Sequence, residues 1–149
     1  MTAPASASWV RAATPGDWET VEQLLTARHL PTAGARDHLA SFVVATTGLS
    51  LLGCAGLERY GDVGLLRSVA AAQDVAGRGV GAELVHALLE RARALGLRQL
   101  FLLTTTAAEY FPRFGFEPIG RETLPSSLQA SDELRGACPA SAVAMRLIL

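Results

Sequence analysis

Apolar positions recur along this chain with two different periods, and the changes of period mark its elements. Apolar or alternating runs occupy 9–13, 42–45, 49–58, 63–72, 98–104, 117–120 and 142–148, closed for the most part by Gly, Pro or a short polar link. Runs of that length predict β-strands. Trp18, Val21, Leu24 and Leu25 have helical spacing instead, and Thr14 with Asp17 three residues on supplies their N-terminal cap. Pro31 and Gly34 interrupt, and a short second helix is predicted over 35–39. From Gly79 onward Val80, Leu84, Val85, Leu88, Leu89, Ala92 and Leu95 form one stripe with Glu83, His86, Glu90 and Arg93 opposite, and Gly96 closes it. Three consecutive strands with short turns over 42–72 predict an antiparallel meander, and the unbroken run Leu100–Leu103 predicts a strand covered on both faces.

Composition narrows the functional classes. A chain of 149 residues that is 50% hydrophobic fits one domain, 1–149, with one good core. A net charge of −1 without a basic block speaks against nucleic acid as partner. No apolar stretch is long enough to cross a membrane and Met1–Ser8 lacks the order of a signal peptide, so the expected location is the cytoplasm, as monomer or homodimer. Cys54 and Cys138 suggest no disulfide framework, and His29, His38 and His86 have no metal-ligand spacing, so no metal is expected.

The stretch Arg67–Leu84, R-S-V-A-A-A-Q-D-V-A-G-R-G-V-G-A-E-L, concentrates the chemistry. It reads as a strand, a loop with glycines at 77, 79 and 81, and a helix N-terminus. Glycines let a backbone approach a ligand closely, and the first N–H groups of a helix lack internal partners and carry the positive end of its dipole. A phosphate-bearing ligand is therefore expected there. A Walker loop needs a lysine, and the chain has none; a dinucleotide fold needs G-x-G-x-x-G and an acidic residue after the next strand, whereas here the spacing is G-x-G-x-G and the next strand ends in Thr104, Thr105 and Thr106. A plain glycine turn tightening a strand-to-helix connection is the alternative.

The strand V-A-A-A, its polar link and A-G-R-G-V-G-A-E-L resemble the acetyl-coenzyme A loop of the GNAT N-acetyltransferases. T-T-T-A-A-E-Y-F-P-R-F-G-F-E-P resembles the family region that ends in leucine-glycine-phenylalanine, and the element order matches over nearly the whole length. The resemblance implies an α/β (α+β) fold with a mixed, mostly antiparallel sheet of six to seven strands flanked by about four helices. Within the family, Arg67-Ser68, L-T-T-T-A-A-E-Y-F and C-P-A-S-A-V resemble the arsenic-resistance N-acetyltransferase-like group, and L-L-T-T-T-A-A with G-F-E-P resembles the acetyltransferase domain of N-acetylglutamate synthase. The implied activity is direct acetyl transfer from acetyl-CoA to the amine of a small amino-acid-like molecule, an arsenical or related toxic analogue included; the alternative is a GNAT-fold acyl-CoA-binding or sensor domain.

Roles follow residue by residue. The resemblance lays the pyrophosphate over the amides of Ala76, Gly77, Arg78, Gly79, Val80, Gly81 and Ala82, and the pantetheine arm along Val69, Ala70 and Ala71. An amide of that strand, Ala70 or Ala71, would hold the thioester oxygen, a contact typically worth about 3 kcal/mol. Glu58 either draws the amine's proton away through water or is an exposed carboxylate at a strand end. Arg67 suits an acceptor carboxylate, unless it pairs with Asp62 or Glu58, and Tyr60 and Ser141 are candidate acceptor contacts. His38 and Arg36 read as solvated helix residues. Ala76 stands where the family has Gln or Arg, and Thr105 or Thr106 where it has Asn. Phe111 stands where many members have the tyrosine that protonates the thiolate, and Tyr110, about 100° around a helix, would face elsewhere.

Overall fold

The computed structural model describes residues 10–48, 50–73 and 79–149. Its centre is a seven-stranded sheet built from β1 (Val10–Ala12), β2 (Val43–Thr47), β3 (Ser50–Tyr60), β4 (Val63–Ala71), β5 (Gln99–Thr104), β6 (Glu117–Ile119) and β7 (Val143–Ile148), in the order β1-β2-β3-β4-β5-β7-β6. Neighbours run antiparallel except β4 and β5, which are parallel. Side chains alternate across a strand. Val43 and Ala45 therefore pack with α2 (Val80–Ala94), whereas Val44 packs with α1 (Trp18–Ala27) on the opposite face. Leu84, Val85, Leu88, Leu89 and Ala92 are buried as their spacing predicts; Leu95 is not, because the helix ends at Ala94 and leaves it 37% exposed. No helix among the described residues is long and apolar enough to cross a membrane.

Two expected helices are wound more tightly than an α-helix. Arg36–Ser41, expected over 35–39, and Phe111–Phe114 are 3-10 helices, and these two with α1 and α2 flank the sheet. The link before β7 carries a 3-10 turn at Ser126–Ala130 and a wide turn at Glu133–Ala137. Leu128 anchors that link, fully buried against Val63, Leu65 and Phe101. β3 runs on to Tyr60, so Glu58 lies within a strand and not at its end.

The sheet opens at its middle. β4 and β5 pair only from Val63↔Gln99 to Leu65↔Phe101; beyond that point β5 stays with β7 and β4 stays with β3. The β3–β4 register shifts between Cys54 and Gly56, and Ser68 on the facing stretch has φ +59°. That is a β-bulge, which bends its strand and increases its twist. The Cys54 thiol, fully buried, donates to the Ser68 carbonyl at 3.2 Å and ties the bulge to β3. Bulge and splay together leave a wedge between Val69–Ala71 and Leu102–Thr104.

Candidate active site

Two adjoining cavities, each of about 410 Å³, fill that wedge. They share Leu30, Arg67, Ser68, Leu103, Thr104 and Thr106, so contents of one can reach contents of the other. The first runs along Val69, Ala70 and Ala71 to Gly79, Gly81 and Ala82, and is floored by Tyr110 and Phe111. The second lies toward His29, Pro31, Thr105, Glu133 and Cys138.

The first cavity has the polar edge an extended ligand needs. Ala72 N–H donates to the Leu52 carbonyl at 2.8 Å and Ala70 is in register with Cys54. Amides alternate along a strand, so Ala70 points its N–H at β3 and Ala71 points its own into the cavity. At the far end, hydrogen bonding in α2 begins with Glu83 N–H to Gly79 O at 3.1 Å, which leaves the amides of Val80, Gly81 and Ala82 outside that ladder. Gly79 is the helix N-cap at φ +85°, a conformation that favours glycine. Among the described residues nothing lies within 4 Å of the place a Cβ would take there. The Val80 side chain is buried in the core and only its backbone can serve this end. Ala76, Gly77 and Arg78 lie outside the described residues.

Tyr110 differs from the sequence expectation. The residues before Phe111 form turns, not an α-helix, so a helical rotation does not set its direction. Its hydroxyl stands 3.3 Å from the place of a Gly81 Cβ, and its ring lies under the Arg113 guanidinium at 4.2 Å. Burial raises its pKa, opposed by Arg113. Phe111 is buried and packs edge-on against Tyr110 and Phe116.

Beneath the shared wall sits a buried ionic cluster. Arg67 donates from Nη1 to Glu58 Oε2 at 2.6 Å, from Nη2 to the Pro31 carbonyl at 3.2 Å and from Nε to Ser68 Oγ at 3.0 Å, with Glu133 Oε2 3.3 Å from Nε. Each nitrogen of the guanidinium is engaged at least once, and Arg67 lines both cavities, so the cluster holds it in place as part of their shared wall. Of the alternatives, its partner is Glu58 and not Asp62. Tyr60 donates to Glu58 Oε1 at 2.5 Å, and His38 Nε2 lies 3.7 Å from the same oxygen. Glu58 is thus neither an exposed strand-end carboxylate nor part of either cavity wall; with Tyr60 it holds the arginine. His38 belongs to this cluster and is not a solvated helix residue, whereas Arg36 lies over Trp18 at 6.0 Å. Ser141 is exposed and lines neither cavity, because the Pro139–Ala142 turn carries it outward.

Glu133 and Cys138 carried no expected role, and both line the second cavity. No local spacing signals them; the Leu128 anchor delivers them. Burial pushes the Glu133 carboxyl up, only partly offset by Arg67, and burial with Glu133 pushes the Cys138 thiol up to about 12. Burial alone would raise Glu58 too, but hydrogen bonds from Tyr60 and Arg67 hold it below its ordinary value. These directions have opposite consequences for stability. The Glu58 contribution is complete above its ordinary value of 4.5 and is lost as pH falls through its lowered folded value; the Glu133 contribution is complete below 4.5 and is lost as pH rises through its raised value. Asp17, held low by Arg11, adds to the acid limb. Melting temperature is therefore expected to peak near about pH 4.5, where the two limbs meet, and Glu133→Gln to flatten the alkaline decline. A wild-type curve rising steadily from pH 5 to pH 8 contradicts this assignment. Among the described residues no group of His, Cys, Asp or Glu is placed to hold a metal ion.

A family model described as the Acetyltransferase (GNAT) family matches residues 5–116. The chain belongs to this GNAT acetyltransferase family. The amino-acid acetyltransferase of Azotobacter vinelandii is 41% identical to this GNAT chain over 87 residues, which is 57% of this chain and 20% of the relative. That of Neisseria meningitidis serogroup A is 28% identical over 93 residues, covering 61% and 21%. The GNAT chain thus spans about one fifth of the length of these curated relatives. The N-acetylglutamate synthase of Neisseria gonorrhoeae, solved with coenzyme A and N-acetyl-glutamate, has the same fold at TM-score 0.80 and 23% identity, over 94% of this chain and 34% of that one. A Mycobacterium tuberculosis protein solved in complex with CoA matches at TM-score 0.78 and 24% identity, over 94% and 98%.

Proposed function

We propose that this protein transfers the acetyl group of acetyl-CoA directly to the amino group of a small amino acid, with the acyl donor in the first cavity and the acceptor in the second. The observation that carries the reading is the meeting of the two cavities at Arg67, Ser68, Leu103 and Thr104, beside a strand edge whose Ala71 amide is free to point inward. The GNAT membership supports acetyl-CoA as co-substrate, and the amino-acid acetyltransferase relatives support an amino acid over an arsenical.

Acetyl-CoA supplies an activated thioester; the chain supplies placement and charge stabilisation. The amides of Val80, Gly81 and Ala82 suit its pyrophosphate, and the edge of Val69–Ala71 suits the amides of its arm. Ala71 N–H is placed to stabilise developing negative charge on the thioester oxygen, typically by about 3 kcal/mol. Holding both substrates across one wall contributes more, on the order of 7 kcal/mol. Ser68, Thr104, Thr106 and Tyr110 bring hydroxyls to the first cavity, and that of Tyr110 is the one we assign to the sulfur. A thiol pKa of about 8.5 lies below that of any tyrosine, so full proton transfer from Tyr110 would run uphill by roughly 2 kcal/mol. Its part is a hydrogen bond to the leaving thiolate. Tyr110→Phe is expected to lower kcat about 100-fold with the melting temperature unchanged, measured as thiol release; an unaltered kcat removes Tyr110 from the site.

The reading is tested by following thiol release from acetyl-CoA with each of the twenty standard amino acids. Turnover with at least one is expected. Saturable CoA binding without turnover on any of them replaces the enzyme by an acyl-CoA-binding or sensor domain.

A further inference from the structure

We propose that Glu133, on the turn before β7, receives the acceptor's ammonium group and takes its proton. The proposal rests on the acetyltransferase reading above. Among the described residues two buried carboxyl groups, Glu58 and Glu133, lie against Arg67 at the wall the cavities share, and their surroundings differ. Glu58 lines neither cavity, and both its oxygens carry short bonds, from Tyr60 at 2.5 Å and Arg67 at 2.6 Å. A carboxylate held in this way fixes its partners and does not face either cavity. Glu133 lines the second cavity itself. Its contacts are long: Arg67 Nε at 3.3 Å from Oε2, and the Cys138 thiol, a weak hydrogen-bond donor, at 3.5 Å from Oε1.

Charge balance points the same way. Two buried carboxyls share one guanidinium, since Arg67 from β4 faces Glu58 from β3 and Glu133 from the turn. His29 lines the same cavity, and His38 lies on the far side of Glu58. Among the described residues these two carboxyls share one guanidinium, so an ammonium ion arriving beside Glu133 would supply a second cation, and a buried carboxylate gains most from such a partner. Burial also raises the proton affinity of Glu133, in the direction a base for an α-ammonium group requires.

The step balances as follows. One N–H bond of the ammonium breaks, its electron pair stays on nitrogen, and the proton goes to a Glu133 carboxylate oxygen. That pair forms the new C–N bond as the C–S bond breaks. A second proton leaving nitrogen matches the one gained by sulfur, and Glu133 returns its proton to solvent through the cavity mouth.

Glu133 also braces Arg67, so its test must separate the two roles. The acceptors are the amino acid that turns over fastest in the assay above and its 2-aminooxy counterpart, whose nitrogen is already unprotonated at neutral pH. Glu133→Gln is expected to lower kcat/KM about 100-fold with the amino acid and less than tenfold with the aminooxy acid, and to remove the acid limb of the pH profile of kcat/KM. Glu133→Asp is expected to restore part of the loss with the amino acid alone. Equal losses with both acceptors confine Glu133 to bracing Arg67 and overturn the proposal while leaving the acetyltransferase reading intact. A wild type that acetylates no amino acid overturns both.

Discussion

Arg67→Ala is expected to lower the free energy of unfolding by about 3–5 kcal/mol at neutral pH, because it removes the guanidinium that two buried carboxyls share. The side chains of Arg67 and Glu58 are both fully buried, so removing the guanidinium leaves the Glu58 charge without its buried partner. The loss corresponds to roughly 10 °C or more in melting temperature for a chain of this size. Its pH dependence separates a charge effect from a packing effect. Without Arg67, Glu58 keeps the Tyr60 hydrogen bond but loses the cation that helps hold it low, so its proton affinity rises and protonation relieves the unpaired charge. The difference between wild type and variant is therefore expected to shrink on going from about pH 8 to about pH 5, since the variant regains stability by binding protons. The double variant Arg67→Met/Glu58→Gln should recover part of the loss, as neutral replacement of a buried pair is tolerated better than removal of one member. Chemical denaturation of the three proteins at two pH values measures this. A single variant as stable as the wild type would show that the cluster contributes nothing to the fold.

The second large effect is on binding. Gly79→Glu is expected to weaken CoA binding at least 100-fold, about 2.8 kcal/mol. The new carboxylate would stand at the N-terminus of α2, where it would compete for the amides of Val80, Gly81 and Ala82 and repel a pyrophosphate. A φ of +85° at this position makes any side chain costly to the backbone. Gly79→Ala is the control: it carries the same strain without the charge and enters space that is open in the structure. Calorimetric titration with CoA should place Gly79→Ala within about tenfold of wild type and Gly79→Glu far beyond it. Equal affinities for all three proteins would move the pyrophosphate away from this helix.

Much of the fold was legible because local periods are set by local sterics. The stripe Val80–Ala92 buries itself in any fold that gives it an apolar partner, and Gly96 at φ +80° ends its helix regardless of context. The same holds for the acyl-donor end of the site: Gly79, Gly81 and the strand Val69–Ala71 are nearly contiguous, so their juxtaposition is a property of one short segment. Tyr110 was misjudged because a 100° rotation is meaningful only within an α-helix, and the residues before Phe111 make turns. Ser141 was misjudged because nearness in sequence to β7 does not fix the direction of a turn residue, and this one points to solvent.

The order of strands and helices, the helix-capping glycines and the glycine-rich end of the cleft are written locally along the chain, since each rests on backbone sterics and hydrophobic period within a few residues. That Arg67 is locked between Glu58 and Glu133, that Ala71 and not Ala70 turns its amide inward, and that a link anchored by Leu128 walls the second cavity emerge from the folded arrangement alone. Those outcomes depend on strand register, on a bulge at Ser68 and on desolvation of charges brought together from distant parts of the chain. No local pattern encodes them, because the energy of a buried charge is set by which groups surround it in space.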